Sequence, residues 1–315
     1  MALTSLWGCD PDRYEPHPLH DKRSAYSETN CYSDLVIELL HARGDEPLAV
    51  LGCLVATDFE GDQFTFLKPP PEELRDLFGV DIHEMQPYRS LIAQAQEQLT
   101  AGRTMTVEVD SWWLPDTAST SYRREHVKTS IALEAIDDAA ERLHYFHAGG
   151  LYALSGEDFR GALRVAVGPE VLPPYTELVR FDAGTRLLGA ELRAAARDPL
   201  QGHLTRRPKD AFARFGEHLL AVQPELAEGT LGFHDYAFAT VRMVGSAATV
   251  GAGYARWLLD AAGESAASHF DAAAQACTAL SFRLARRRPF EVEPAVEAIQ
   301  SQWDAALEQL DARVG

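Results

Sequence analysis

Cys31 and His126 are the two residues whose types and surroundings indicate chemistry. Cys31 follows the capping stretch SETN (27–30) and precedes apolar residues at helical spacing, which end at Gly44. It is therefore expected in the first turn of a helix. The positive end of the helix macrodipole favours a thiolate there, and the unpaired backbone amides stabilise an oxyanion formed on an attacked carbonyl. This placement predicts a nucleophilic cysteine, and the alternative is a half-buried structural cysteine.

His126 ends the polar stretch SYRREH (121–126) and opens a run rich in β-branched residues. It is expected to be exposed at the start of a strand. A cysteine followed roughly 95 residues later by a histidine on a strand is the chain order of papain-like cysteine enzymes, in which the pair forms only in the folded protein. A surface histidine without a catalytic role is the alternative.

The elements that position these two residues alternate between helix and strand in the first half of the chain. A helix followed by an antiparallel sheet is the layout of a papain-like domain, with one catalytic group at the helix tip and the other on the sheet. The predicted elements are a hairpin or strand pair formed by LAVLGCLVATDF (48–59) and QFTFLK (63–68), a short helix in PPPEELRDLF (69–78), a helix from Tyr88 to about Thr100, and three antiparallel strands in TMTVEVD (104–110), HVKTSIALEAI (126–136) and RLHYFH (142–147).

The second half, from about Tyr175, has the pattern of helices with short interruptions. We place the domain boundary near GPEVLPPY (168–175), because its prolines remove backbone donors and suit a stiff connector. The fold class predicted is α+β, with a papain-like domain containing an antiparallel sheet over residues 1–170 and an all-helical bundle domain over residues 175–315. The predicted helices lie near residues 176–197, 208–222, 232–261, 264–286 and 294–312.

Composition restricts the partners and the compartment. A chain of 315 residues with 46% hydrophobic and 24% charged residues is typical of globular domains. Its net charge of −18 opposes binding to nucleic acids and anionic membranes, and no apolar run is long enough to span a bilayer. Four cysteines without paired spacing, and a start that lacks a basic region followed by an apolar one, favour a reducing cytosol. We therefore expect a cytoplasmic protein.

Five stretches of the first half, which span residues 28–159, are specific in combination. They are ETNCYSDLVIELLHA, DFEGDQFTFLKPPPEELRDLFG, VEVDSWWLPDT, YRREHVKTSIAL and YFHAGGLYALSGEDF. Together they resemble a bacterial family catalogued as domain of unknown function 1839. More distantly, Cys31 at a helix start, VDSWWLP (109–115) and His126 before a strand resemble the butirosin-pathway acyltransferase type. That more distant resemblance implies a papain-like fold and transfer of an aminoacyl group from a carrier-protein thioester to an amine.

The same resemblance implies roles for individual residues. Cys31 takes the place of the nucleophile and His126 that of the base, while Asp110 matches an acidic residue that shapes the site. Asn30 and Trp112, in the motifs around Cys31 and Asp110, are expected to contact substrate. The third member of a papain-like triad is an Asp or Asn at the end of the strand after the hairpin, and this chain presents His147 there. A second imidazole stabilises the imidazolium of a catalytic base less than a carboxylate does.

Further polar residues are candidates for substrate binding. Arg123 and Arg124 precede His126 and are expected either to bind the phosphate of a phosphopantetheine arm or to lie in a solvated loop. In the second domain, His234 and Tyr236 are expected either to line a substrate pocket or to pack in the core.

No bound metal or cofactor is predicted. His144 and His147 have a metal-like spacing, but on a strand they point to opposite faces. The stretch HPLH (17–20) is expected to be a loop. Two basic clusters, at residues 206–209 and 283–288, are expected to be solvated helix ends or docking points for an acidic partner.

The leading functional prediction is acyl transfer through Cys31. Its donor is expected to be an acyl or peptidyl carrier protein whose phosphopantetheine arm carries the acyl group, and its acceptor a small-molecule amine, as in natural-product biosynthesis. A thioesterase or peptide/amide hydrolase with the same Cys-His pair is one alternative. A papain-like scaffold that binds a carrier protein without covalent chemistry is another.

Overall fold

The computed structural model describes residues 3–165 and 172–314. The chain forms two compact units, and each is assembled from three segments. The first unit comprises Met1–His20, Cys31–Pro47 and Pro71–Leu187, and the second comprises Asp21–Asn30, Leu48–Pro70 and Leu188–Gly315. The fold class is α+β, with an antiparallel sheet in the N-terminal region and helices in the C-terminal region.

The strands are, in chain order, β1 (Thr4–Ser5), β2 (Phe59–Glu60), β3 (Gln63–Phe64), β4 (Asp81–Met85), β5 (Thr104–Asp110), β6 (Lys128–Asp137), β7 (Arg142–His147), β8 (Gly150–Ser155) and β9 (Thr176–Arg180). The helices are α1 (Cys31–Ala42), α2 (Pro71–Phe78), α3 (Leu91–Thr100), α4 (Glu157–Ala162), α5 (Gly189–Ala195), α6 (Arg197–Arg206), α7 (Ala211–Glu228), α8 (Phe233–Ala237), α9 (Met243–Leu259), α10 (Glu264–Ala285) and α11 (Val292–Val314).

The first unit is built on one antiparallel sheet with the strand order β4-β9-β5-β6-β7-β8, and β1 also pairs with β6. The three predicted strands are confirmed as β5, β6 and β7. The helix predicted from residue 176 is wrong at its start, because Thr176–Arg180 is strand β9 and lies between β4 and β5. The predicted boundary at 168–175 lies partly outside the described residues, and the first unit continues past it through β9 to Leu187.

Helix α1 is buried along most of its length, from Ser33 to Leu40. It packs against β6 and β7, whereas α3 packs against β5 and β6. Side chains alternate between the two faces of a strand, so Ile131 joins the core cluster that contains α3, and Ala132 joins the cluster that contains α1. The two helices therefore cover opposite faces of the sheet.

The prediction for the apolar segment before the β2–β3 hairpin is wrong in part. Residues Pro47–Ala56 form a 3₁₀ helix, and only two residues on each side of the turn at Gly61 pair as strands. A continuous apolar run lacks the alternation that distinguishes a strand from a buried helix, which explains the error.

The second unit is helical apart from that hairpin, and α10 packs along both α9 and α11. Helices approach closely at the glycine-rich part of α9, because a Cβ at Gly251 would lie 3.0 Å from the Phe270 ring. The helix predicted over 232–261 is interrupted by a π-helical turn at Phe238–Arg242. None of the helices described is both long and apolar enough to cross a membrane.

Candidate active site

The candidate site lies where β5 ends and β6 begins. Asp110 is the last residue of β5, Lys128 is the first of β6, and the two are directly opposite in the antiparallel register. The loop between them carries Trp112 and His126. Because Asp110 and Lys128 are paired, the two ends of the loop meet, and Trp112 and His126 lie at the same end of the sheet.

His126 forms an exposed pair with Asp110. Its Nδ1 lies 2.6 Å from Oδ2 of Asp110, while Oδ1 of the same carboxylate accepts the backbone N–H of Trp112 at 3.0 Å. The Trp112 ring stacks on the imidazole, with 4.6 Å between ring centroids and 11° between planes. The His126 side chain is 72% exposed. A carboxylate and an aromatic face together therefore fix the orientation of a histidine that solvent reaches.

The hydrogen bond to Asp110 determines which nitrogen of His126 can act as a base. An ionised carboxylate only accepts, so neutral His126 carries its proton on Nδ1 and presents the lone pair of Nε2. Within residues 3–165 and 172–314, no group is hydrogen-bonded to Nε2. The carboxylate that contacts His126 is thus that of Asp110, whereas the sequence offered His147 for this contact.

Cys31 is the first residue of α1 and is half-buried. It lies close enough to Lys128 for the charges to interact: the pKa of Lys128 is raised mainly by its hydrogen bond to Glu108, with a smaller contribution from Cys31. The Lys128 Nζ to Glu108 Oε1 distance is 2.7 Å. Sequence analysis did not single out Lys128.

Lys128 and Asp110 link the cysteine to the histidine in space. The charge of Cys31 contributes to the raised pKa of Lys128, Lys128 lies opposite Asp110, and Asp110 binds His126. No hydrogen bond joins Cys31 to His126 in the described part of the chain. Catalytic hydrogen bonds are frequently long before substrate binds and shorten in the complex. Asp110, His126 and Lys128 thus lie at one end of the sheet.

His147, which the sequence offers at the third triad position, makes no hydrogen bond to His126 in the described part of the chain, so its predicted catalytic role is corrected. His147 donates from Nδ1 to Asp116 at 2.6 Å, and its Nε2 accepts from the Thr129 hydroxyl at 2.8 Å. Both nitrogens are therefore occupied, and the ring is buried. The Tyr145 hydroxyl also binds Asp116. The pKa of Tyr145 is raised by burial and by the carboxylate of Asp116.

The two arginines before His126 differ in their surroundings. Arg123 lies 2.6 Å from Asp158 and 3.1 Å from Glu157, and its guanidinium stacks over the Trp113 ring at 4.5 Å. Arg124 is exposed, and no side chain within the described ranges binds its guanidinium. Arg124 is therefore the one of the two that is available to a phosphate.

Replacing Gly161 with alanine is expected to destabilise the first unit by about 1–3 kcal/mol, as overpacking commonly does. A Cβ on Gly161 of α4 would lie 2.0 Å from the Trp113 ring, which would have to move. The steric clash outweighs the better helix propensity of alanine. Chemical denaturation measures the change. Gly184→Ala is the control, since its nearest atom would be 3.5 Å away; equal stability of the two variants would contradict the clash.

A buried polar cluster lies beside α1, where the sequence predicted only a loop. Pro18–His20 is a short 3₁₀ turn within a connecting segment, and both His17 and His20 are buried, which the sequence did not predict. Nδ1 of His20 binds Glu38, and its Nε2 lies 3.3 Å from Asp34. Both carboxylates belong to the buried face of α1. The cluster ties the segment before residue 21 to the helix that begins with Cys31.

Three predicted substrate-binding residues belong to the second unit. The amide of Asn30 is buried and donates to the Leu67 carbonyl at 2.8 Å. His234 is exposed and contacts the Phe233 ring, whereas Tyr236 is buried and stacks on His218. Tyr236 thus follows the core-packing alternative, although its hydroxyl has no hydrogen-bond partner among the described residues.

Among the described residues, no group of three or more His, Cys, Asp or Glu side chains is arranged to hold a metal ion. His144 is half-buried and His147 is engaged by Asp116 and Thr129, so the H-x-x-H spacing does not form a pair of ligands.

An antiparallel sheet packed with helices, together with a helical second unit, defines an α+β protein of two parts. Two family models match the chain: the DUF1839 N-terminal domain over residues 15–181 and the DUF1839 C-terminal domain over residues 189–312. The chain therefore belongs to the DUF1839 family, and the suspected resemblance is confirmed. None of the curated proteins matches the chain.

Proposed function

We propose that this protein is a papain-like cysteine acyltransferase that takes an aminoacyl group from a carrier-protein thioester and passes it to an amine. The observation that carries the proposal is the His126–Asp110 pair, whose 2.6 Å contact leaves Nε2 of an exposed imidazole unbonded within the described residues. Cys31 supports it from the start of α1, beside Lys128.

The reaction proceeds in two acyl-transfer steps, first from the carrier thioester to Cys31 and then from Cys31 to the amine. The Cys31 thiolate attacks the thioester carbon, the amides at the start of α1 stabilise the oxyanion, and the bond to the pantetheine sulfur breaks. The released thiolate takes up a proton from the imidazolium of His126. The amine then attacks the acyl-cysteine, Nε2 of His126 accepts its proton, and the Cys31 thiolate leaves with the electron pair of the C–S bond.

Arg124 fits the donor side of this reaction. The phosphopantetheine arm carries a phosphate, and an exposed guanidinium without an internal ion pair is suited to charge-assisted hydrogen bonds with it. Arg123 instead positions the loop through Asp158 and Trp113.

Incubation with an aminoacyl-pantetheine thioester, with and without a primary alkylamine, tests the proposal by mass spectrometry of the products. We expect the amide when the amine is present and slow release of the free acid when it is absent. Free acid alone under both conditions would instead support hydrolysis by the same residues. Products no faster than in a protein-free control would contradict covalent chemistry and favour a non-catalytic scaffold.

A further inference from the structure

The second unit contains a groove lined by α7 and the start of α11. Its volume is about 760 Å³, and its floor includes Phe212, Val292 and Val296. Phe212 is buried among the core residues, while Leu220 at the groove wall is 63% exposed. An apolar floor that ends in a protruding leucine is a surface suited to bind another apolar side chain.

The rim of this groove is acidic. Glu217, Glu291, Glu293 and Glu297 line it and are all exposed. None of them has an ion-pair partner among residues 3–165 and 172–314. The groove is therefore complementary to a segment that combines a large apolar side chain with several positive charges.

The same unit presents such a segment at the end of α10. Arg283, Arg286, Arg287 and Arg288 are exposed and have no carboxylate partner in the described part of the chain. Phe282 precedes them and is 64% exposed. Phe282 and Arg286 are four residues apart on or at the end of the helix, so they project from one face.

One residue of the arginine segment, Arg287, lies at the C-terminal end of α7, and the groove lies nearer the N-terminal end of that helix. The groove uses Gly216 and Leu220, whereas Arg287 lies beside Gly229, at the helix C-terminus. At a rise of about 1.5 Å per residue, Gly216 and Gly229 are roughly 20 Å apart. Leu220 and Pro224, both exposed, lie between these positions.

We propose that this face of the second unit binds a second copy of the chain in a two-fold symmetric dimer. A two-fold axis near the middle of α7 places the arginine segment of one protomer on the acidic groove of its partner, and the reverse contact forms at the same time. The exposed apolar residues of α7 then form the centre of the interface, and the charges form its rim. The inference is independent of the proposed chemistry, because it uses only residues of the second unit.

Charge reversal tests the proposed dimer by sedimentation velocity. We expect the wild type to be dimeric at about 10 μM, and two variants to dimerise at least about 100-fold more weakly. One variant is Glu293→Arg with Glu297→Arg, and the other is Arg283→Glu with Arg286→Glu. A wild type that stays monomeric up to about 100 μM, or variants that dimerise as the wild type does, would overturn the proposal.

Two combinations of these substitutions distinguish loss of the specific contacts from a general electrostatic repulsion between chains. An equimolar mixture of the two variants is expected to form heterodimers, since each oppositely charged pair is restored at both symmetry-related contacts. A single chain carrying all four substitutions keeps the wild-type net charge and is expected to form homodimers. If neither the mixture nor the four-substitution chain dimerises, although circular dichroism shows that the two variants are folded, the pairing of the arginine segment with the acidic groove is contradicted. Assemblies larger than dimers would contradict the two-fold arrangement.

Discussion

Cys31→Ala is expected to abolish the covalent acyl adduct and to lower the rate of amide formation by a factor on the order of 10⁴ to 10⁶, the range seen when the nucleophile of a catalytic triad is removed. No cysteine lies in β5, β6 or the loop that joins them, so no second thiol of these elements can take the place of Cys31. Intact-mass spectrometry after incubation with the aminoacyl thioester detects the adduct, and product analysis gives the rate.

The other cysteines provide the controls for this prediction. Burial, with a smaller contribution from Glu134, raises the pKa of Cys9 to about 11, and burial also raises the pKa of Cys277. Both thiols are therefore poor nucleophiles near neutral pH. Cys53 is half-buried like Cys31 but lies in the second unit, so Cys53→Ala is the matched control and should retain the adduct. An adduct that persists in Cys31→Ala would assign the chemistry to another residue.

His20→Ala is expected to destabilise the first unit by about 3–5 kcal/mol, the cost of removing one partner from a buried ion pair. His20 places one ring nitrogen against Glu38 and the other 3.3 Å from Asp34, so both nitrogens donate and the ring is an imidazolium. Glu38 is fully buried and also accepts the Tyr14 hydroxyl at 2.5 Å. Removing the imidazolium leaves negative charge on α1 where water cannot solvate it.

The same contacts predict how stability depends on pH. Burial opposes the charge on His20, but its hydrogen bonds to Asp34 and Glu38 outweigh burial and raise the pKa of His20 to about 9, from 6.5. The unfolded chain loses this proton first, so the stabilisation is complete below about pH 6.5 and is lost as the pH rises through about 9. The total loss is about 3 kcal/mol. Chemical denaturation at a series of pH values should show this decline in the wild type and not in His20→Ala.

His83→Ala is the control for both parts of this prediction. His83 also pairs with a carboxylate, that of Asp81 at 2.6 Å, but its side chain is exposed. An exposed pair contributes less than about 1 kcal/mol, so this variant should unfold like the wild type at every pH. If His20→Ala were as stable as His83→Ala, the buried cluster would not be an ion pair of the kind described.

Local patterns were sufficient to predict the elements that carry the site. Capping residues before Cys31 and regular apolar spacing after it located α1, and alternation of apolar and polar residues located β5, β6 and β7. Strand β9 was not predicted, because it has only five residues and one of them is the buried Glu177. The carboxylate of Glu177 accepts a hydrogen bond from the Thr106 hydroxyl at 3.0 Å. A buried ionisable residue removes the alternation on which recognition of a strand depends.

The features that could not be predicted from the sequence depend on contacts between residues far apart in the chain. Asp110 reaches His126 because the register places it opposite Lys128, and that pairing is not encoded in the local sequence. HPLH has the composition of a loop, and only Asp34 and Glu38, polar residues on a buried face of α1, make it a buried cluster. In both cases the partner lies in a different element.

The rate at which iodoacetamide alkylates Cys31, followed by peptide mass mapping in the wild type and in His126→Gln, tests the partnership of the two residues most directly. Glutamine keeps a polar side chain of similar reach but cannot accept a thiol proton. We expect alkylation of Cys31 at about pH 7 to be at least about tenfold slower in His126→Gln, while alkylation of Cys53 stays unchanged. Equal rates at Cys31 in the two proteins would contradict activation of this thiol by His126.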